Sequence, residues 1–403
     1  MRAGLTAVDL FAGAGGLSVG LAAAGFSPLY ANEVVPQYAR TYQLNHPATQ
    51  VCCADIRSTD PVAVRHSLGL AQGELDLLAG GPPCQGFSIN APLRSASDRR
   101  NHLFRDYLRF AQEFAPRAIL IENVPGLVSF QRGATLTAIL DALEALGYHA
   151  DVRLLYAPFY RVPQTRWRTI ILGFRDSDDI QAAFPEPVSD APMRVNFTSQ
   201  YSGRSIVHLP TNSPLKRFTS VREAICDLPT LVNGEVGAPI KHYSSLPQCD
   251  YQRLLRAGSR ELHNHEAARL SAINVERMKY IPQGGNWTDI PYELLPAGMK
   301  RARTSDHTKR YGRANPDGLA CTILTKCDPH WGAYFHYEQD RTFTVREAAR
   351  LQSFPDSFHF TGSKVEQYAQ VGNAVPTMMA VAIGKSIAVM LGAGSQSQLP
   401  LAS

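Results

Sequence analysis

The amino-acid sequence predicts an α/β protein: a doubly wound, mostly parallel sheet joined to a second, smaller, loop-rich domain. Three observations predict it. As far as about Asp176, short apolar runs alternate with segments of helical periodicity, the pattern of a parallel sheet with helices on both faces. Beyond that point prolines become frequent (Pro185, Pro187, Pro192, Pro210, Pro214) and polar residues interleave without clear periodicity. The length of 403 residues exceeds that at which one core usually keeps growing, so two domains are expected. Their expected bounds are 1–188 and 189–329, with 330–403 returning to complete the first.

Residues 5–11 read as a buried strand, followed by the glycine turn 13–16 and a helix on which Leu17, Gly20, Leu21 and Ala24 recur until Gly25. A second strand, 27–31, ends at Asn32-Glu33, and 35–45 is helical. Further strands are expected at 51–54, ending at Asp55-Ile56, at 75–79, and at 118–121, ending at Glu122-Asn123-Val124. A helix near 135–146 precedes strands near 152–156 and 169–173. In such a sheet, ligands bind beyond the carboxyl ends of the strands. Gly13, Glu33, Asp55, Cys84 and Glu122 all fall there. In the irregular half, helices are expected at 220–228 and 265–278. Thr344 with Glu347 three residues on is a capping box, and the last helix runs over 377–391.

The bulk numbers narrow the class. Hydrophobic residues at 44% with charged residues at 19% describe an ordinary globular chain. No run of eighteen apolar residues is present, so no membrane span is expected, and residues 1–4 lack the layout of a signal peptide. Seven scattered cysteines without CxxC spacing argue for a reducing cytoplasm and against a disulfide framework or a zinc site. The net charge of +5 is concentrated: residues 190–328 carry 19 Lys and Arg against 13 Asp and Glu, or +6, leaving −1 elsewhere. A polyanion partner for the middle segment is the natural reading, with a solvated basic face as the alternative.

Four motifs carry chemistry. Residues 80–88, GGPPCQGFS, form a rigid turn that presents one cysteine. Core cysteines prefer apolar strands or helices, whereas rigidity around a thiol suggests a nucleophile held in place. A structural turn is the alternative. Residues 9–16, DLFAGAGG, join a strand to a helix, and Glu33 about twenty residues on suits ribose hydroxyls. Position 18 is Ser, so the third glycine of a nicotinamide fingerprint is absent. That motif alone supports a nucleoside cofactor or a packing turn. Glu122 would share a pocket with Cys84, where a carboxylic acid could protonate a ring nitrogen while sulfur attacks a conjugated carbon. Taken alone, a Glu there is more often a capping or salt-bridged carboxylate. In residues 164–168, QTRWR, Arg166 and Arg168 point the same way from an extended segment, a two-cation fork suited to phosphate or carboxylate. An arginine in a surface salt bridge is the alternative.

DLFAGAGG (9–16), NE (32–33), DI (55–56), GGPPCQGFS (80–88), RNHLF (100–104), ENV (122–124), QTRWR (164–168) and GNAVP (372–376) occur in one order across both ends of the chain. In this order the sequence resembles the bacterial-type C5-cytosine DNA methyltransferases. The resemblance implies the S-adenosylmethionine-dependent methyltransferase fold and that cofactor, held by Phe11, Gly13, Gly15 and Pro83. It also implies Glu33 on the ribose hydroxyls, Asp55 and Ile56 on the adenine, and Asn373 with Ala374 at the methionine end. Cys84 would be the nucleophile and Glu122 the acid at cytosine N3, with Arg166 and Arg168 orienting the acid and the flipped nucleotide. No metal is required. The segment 88–101 resembles the family's mobile loop, which places Gln85, Ser88 and Arg100 at the DNA. Residues 190–328 would be the target-recognition region of a monomer acting on double-stranded DNA, beside a possible cognate restriction endonuclease. Lys300, Arg301 and Arg303 would mainly grip phosphates. Asn196, Gln200, Gln248, Gln252, Asn264 and Asn286 are candidate base readers.

Three other readings compete. Relatives acting on transfer RNA share the catalytic motifs but are shorter in the recognition region. A catalytically silent DNA-binding module would not need Cys84, Glu122 and Arg166 together. A nicotinamide oxidoreductase lacks its third glycine and leaves the cysteine and glutamate idle.

Overall fold

The computed structural model describes residues 4–83, 103–176, 180–211, 214–235 and 240–392. Two compact units divide the chain. The first holds the residues up to Tyr160, Trp167–Lys216 and the C-terminal helix from Thr377; the second holds Arg161–Arg166 and Arg217–Pro376. These divisions differ from the expected bounds at 188 and 330, for a visible reason. Residues beyond 188 still bond to the sheet: Leu154 N donates to Ile206 O (2.7 Å), His208 N to Leu154 O (3.0 Å) and Tyr156 Oη to Pro192 O (3.0 Å).

The sheet strands of the first unit are β1 (Leu5–Leu10), β2 (Phe26–Asn32), β3 (Gln50–Cys52), β4 (Leu77–Gly80), β5 (Ala118–Asn123), β6 (His149–Tyr156) and β7 (Trp167–Phe174). Its helices are α1 (Gly16–Ala23), α2 (Pro36–Asn45), α3 (Pro61–Ser67), α4 (Leu103–Phe114), the single turn α5 (Gly126–Ser129) and α6 (Ala134–Ala145). In the second unit lie α7 (Val221–Ile225), α8 (Asp250–Arg256), α9 (Ala272–Met278), α10 (Val345–Leu351) and α11 (Lys364–Asn373); α12 (Thr377–Met390) belongs to the first. The strand order is β3-β2-β1-β4-β5-β7-β6. The first five strands are parallel, and β7 runs antiparallel between β5 and β6.

Central strands of a sheet covered on both faces read as continuous apolar runs. Accordingly Ala7, Val8 and Leu10 of β1, Leu77, Leu78 and Ala79 of β4, and Ile119 and Leu120 of β5 are fully buried. On one face α12 meets α1 with a glycine from each: a Cβ on Gly20 would lie 2.3 Å from that of Ala380, and one on Gly384 would lie 2.7 Å from that of Ala24. The stretch Lys364–Met390 is, by length and composition, apolar enough to cross a membrane, although no span was expected. Its apolar residues Met379, Ala380, Ile383 and Ile387 are instead fully buried core.

In the second unit, Thr344 and Glu347 form the expected capping box at α10, and Ser220 with Glu223 forms another at α7. The helix expected over 265–278 shortens to α9. His265 is buried, its ring bonded to Pro229 O (2.8 Å) and Thr344 Oγ1 (3.0 Å), and the helix that follows starts after Ser271. Tertiary hydrogen bonding outweighs local helix propensity there.

Candidate active site

The ends of β1 and β2 build one half of the site. After β1 the chain turns sharply, with Phe11 at φ +58° and Gly13 at φ +58°. Gly13 N donates to Glu33 Oε2 (2.9 Å) and Val35 N to Oε1 (2.8 Å), so backbone N–H groups fix the carboxylate at the end of β2. A Cβ on Gly13 would meet nothing within 4 Å, which leaves open space at the turn. Gly15 is tight instead: its Cβ would lie 2.8 Å from the His46 ring. Burial pushes the Glu33 carboxyl up, against the lowering from those N–H groups.

Behind the turn lies a buried relay that sequence reasoning missed. Tyr42 Oη donates to Ser18 Oγ (2.7 Å), which donates to Asp9 Oδ2 (2.6 Å). Ser18, which replaces the glycine of a nicotinamide fingerprint, thus serves a buried carboxylate. Desolvation raises the Asp9 carboxyl to about 7, opposed by the Ser18 bond and helped by the charge of Glu33. Asp9 opens DLFAGAGG and so was in view; nothing local marks Tyr42 as its partner.

The ends of β4 and β5 build the other half. Gly80 is confined by Leu10 O, 2.7 Å from where its Cβ would stand, and Gly81 by Glu122 Oε2, 3.1 Å away. Asn123 Nδ2 donates to Pro82 O (3.0 Å) and so ties the Gly-Gly-Pro-Pro turn to β5. The glycines therefore answer close approach rather than flexibility. Pro83 ends this described stretch; Cys84, Gln85, Ser88 and Arg100 lie outside the described residues.

Glu122 is gripped by Arg168, whose Nε contacts Glu122 Oε1. The reversed strand makes this possible. Because β7 runs antiparallel to β5, with Glu122 opposite Ile170 and Asn123 opposite Thr169, the start of β7 lies at the carboxyl end of β5. Burial lowers the Arg168 pKa, and the charge of Glu122 opposes that shift.

The expected two-cation fork divides. Arg166 belongs to the second unit and is 2% exposed, its Nη1 donating to Ile323 O (2.9 Å) and its Nη2 to Gly372 O (2.7 Å) and Ala374 O (3.2 Å). It ties the GNAVP segment to the strand-like run before it. Gln164 does the same, donating to Leu351 O (2.7 Å) and accepting from Ile323 N (3.0 Å). A unit boundary falls between the two arginines.

Of the remaining expected residues, Ile56 is buried and Asp55 caps its short helical turn, bound by Arg57 at 2.9 Å. That ion pair and its hydrogen bonds draw the Asp55 carboxyl down to about 2. Asn373 ends α11 exposed, and the Ala374 carbonyl accepts from Arg166 and Gln352. Lys300, Arg301 and Arg303 are all exposed. Among the candidate base readers, Gln252 is fully buried on Glu223 O, Asn264 is committed to Phe360 O and Gln367, and Asn286 caps a helical turn. Asn196, Gln200 and Gln248 are exposed.

Comparison with known proteins gives the family. A family model for C-5 cytosine-specific DNA methylase matches residues 5–389. The chain is 37% identical to the Type II methyltransferase M.AgeI of Thalassovita gelatinovora, over 95% of this chain and 99% of that one. It is 34% identical to the Type II methyltransferase M1.HphI of Haemophilus parahaemolyticus, over 96% and 87%. Its fold is similar to a crystal structure of a DNA modification methyltransferase encoded within an E. coli prophage, with TM-score 0.73, 23% identity and coverage of 96% and 99%. The S. pombe Dnmt2 methyltransferase shares the fold more loosely, with TM-score 0.54, 18% identity and coverage of 96% and 99%. The chain belongs to the C-5 cytosine-specific DNA methylase family and is a DNA (cytosine-5)-methyltransferase.

Proposed function

We propose that this enzyme methylates C5 of a flipped cytosine in a specific duplex sequence, through a covalent adduct between Cys84 and C6. The observation that carries the reading is Glu122: a strand-end carboxylate beside Gly81, oriented by one buried arginine from the reversed strand β7. An acid so placed lies beside the Gly-Gly-Pro-Pro turn that precedes Cys84 in the chain.

The methyl donor implied is S-adenosylmethionine, and the residues fit it. Gly13 leaves open space at the end of β1, and Glu33 is fixed with both oxygens on N–H groups, ready to accept ribose hydroxyls. Phe11, Gly15, Asp55, Ile56 and Pro83 complete its holding set in the first unit. When bound, it supplies an electrophilic methyl group on a positively charged sulfur.

The chain's own residues make C5 reactive. Cytosine C5 is a weak nucleophile, so the Cys84 thiolate adds to C6 and pushes electron density onto C5. Glu122 donates a proton or hydrogen bond at N3 and stabilises that adduct, and Arg168 holds the carboxyl in place. After transfer, loss of the C5 proton and departure of the Cys84 sulfur restore the ring. The target carbon is out of reach inside a duplex, so the base is extruded at a cost of about a few kcal/mol. Gln85, Ser88 and Arg100 are assigned to the DNA side of this step, and Arg166 acts through the segment it braces.

The Type II names of the relatives support a modification role beside a restriction endonuclease; the reading places that role in the prokaryotic cytoplasm and gives it to a monomer on DNA. The test is direct. Purified protein should transfer labelled methyl groups to unmethylated DNA, and Cys84→Ala should abolish transfer. DNA containing 5-fluorocytosine, from which the C5 proton cannot leave, should trap the wild-type chain covalently and leave Cys84→Ala free. Wild-type turnover by Cys84→Ala would overturn the adduct mechanism.

A further inference from the structure

The second unit contains a small core of its own: Met278, Ile281, Trp287, Ile290, Met299, Tyr311 and Phe335. Its most polar outgrowth is the stretch from Lys300 to Arg310, where five cations (Lys300, Arg301, Arg303, Lys309, Arg310) stand against one carboxylate, Asp306. This stretch is folded rather than loose. It makes two consecutive turns, the first closed by Asp306 N on Arg303 O (2.8 Å) and by Arg303 N on Asp306 Oδ2 (3.2 Å), the second by Arg310 N on His307 O (2.8 Å). His307, between them, sits at φ +53°, a conformation that costs energy for any residue with a side chain and needs support from its surroundings.

One buried residue supplies that support. Trp287 donates its indole Nε1–H to Asp306 O (3.1 Å) and its backbone N–H to Arg310 O (3.1 Å), so it pins the last residue of both turns. Trp287 is itself fixed by the Asn286–Asp289 capping box in front of it. At either end of the double turn an exposed aromatic ring carries a cation: Lys300 Nζ lies 5.1 Å from the centre of Tyr292, and the Arg310 guanidinium 5.8 Å from that of Trp331. Tyr292 and Trp331 are 62% and 59% exposed, each ring open to solvent apart from its cation.

We propose that the double turn 303–310 is the element that reads the DNA sequence, with Arg303 entering the major groove and Lys300 and Arg310 resting on phosphates to either side. The proposal rests on the reading of the chain as an enzyme acting on duplex DNA. The division of labour follows from what each contact needs. A phosphate attracts any nearby cation, so a ring-supported Lys300 or Arg310 suffices and carries no sequence information. Base readout needs a donor fork delivered from a fixed backbone, and Arg303 stands exposed on a turn that the core pins. Sequence alone grouped Arg303 with the phosphate-gripping cations; the hydrogen bonds of the turn separate it from them. The loss of Gln252, Asn264 and Asn286 to internal bonds strengthens the assignment, since it removes half of the competing amide readers.

Selection from a randomised DNA duplex library, read by sequencing the bound fraction, tests this without depending on methyl transfer. Wild-type protein should enrich one sequence word. Lys300→Ala should enrich the same word more weakly, with a log–log salt slope shallower by about one. Arg303→Ala should lose discrimination at a guanine by roughly 5- to 100-fold while keeping most of its affinity for random duplex. Trp287→Phe, checked by thermal melting to be folded, should blur the word in the same direction. An unchanged word with uniformly weaker binding in Arg303→Ala would make it a phosphate contact and overturn the proposal, as would wild-type protein that enriches no word. Methyl transfer by the same proteins, measured separately, reports on the enzymatic reading: an inactive wild type that still enriches a word fails there and not here.

Discussion

The buried ion pairs of the second unit and the strand-end acids of the first are held in opposite ways. In the second unit the pairs are closed. Arg350 is fully buried and binds Asp356 with two bonds of 2.7 Å and Asp227 at 2.9 and 3.3 Å, while Arg341 grips Glu347 with two of 2.7 Å. Burial alone would raise the Glu347 carboxyl, and the Arg341 guanidinium more than reverses that, holding it well below the usual range. In the first unit the strand-end acids are left partly satisfied. Asp9 accepts from a serine, Glu33 from backbone N–H groups, and Glu122 has one arginine on one oxygen. Closed pairs fix a fold, whereas partly satisfied carboxylates keep capacity for a substrate or cofactor.

The contrast can be broken by four measurements. Glu122→Gln should lower methyl transfer by about 10²- to 10⁴-fold with little change in melting temperature, because a general acid is lost and a neutral isostere remains. A large stability loss with activity kept would place Glu122 among the structural pairs. Arg350→Met should do the reverse of the first change: it takes the central cation from buried Asp227 and Asp356, leaving the first to Arg256 and the second to Tyr243 and Arg346, and should cost about 3 kcal/mol in denaturant unfolding.

The third concerns pH. Asp9 titrates near 3.8 when unfolded and about 7 when folded, so the folded state binds the extra proton between those values. Its contribution is therefore neutral below about pH 4, and stability falls as pH rises from about 4 to about 7. Asp9→Asn should remove this slope, which amounts to on the order of 4 kcal/mol at its upper limit. Parallel melting curves for the two proteins across that window would settle it; equal slopes would mean that Asp9 is ionised and paired. The smallest effect belongs to a cap. Ser363 accepts from Glu366 N at the start of α11 while Glu366 accepts from Ser363 N, and Ser363→Ala should cost about 1 kcal/mol by the same unfolding assay, leaving methyl transfer unchanged.

What could be read from the sequence was whatever local physics decides. Alternating apolar runs and helical periodicity gave the strands of the sheet, since a strand covered on both faces has no choice but to be apolar throughout. The Thr344–Glu347 capping box was legible because both partners lie within one turn. The spacing of the motifs put Gly13, Glu33, Asp55 and Glu122 at strand ends, because a sheet delivers the carboxyl ends of its parallel strands to one edge.

Tertiary structure decided the rest. That β7 turns back between β5 and β6, and so brings Arg168 to Glu122, depends on pairings between residues about fifty positions apart. The different roles of Arg166 and Arg168 depend on which partners surround each guanidinium, backbone carbonyls for the first and the Glu122 carboxylate for the second. The relay from Tyr42 through Ser18 to Asp9 and the pinning of residues 303–310 by Trp287 are contacts between segments with no mutual signal in the chain. Periodicity and spacing act over a few residues, and so they name the groups available for chemistry. Which groups become partners is set by long-range packing, where the cost of an unsatisfied buried polar atom selects one pairing from many.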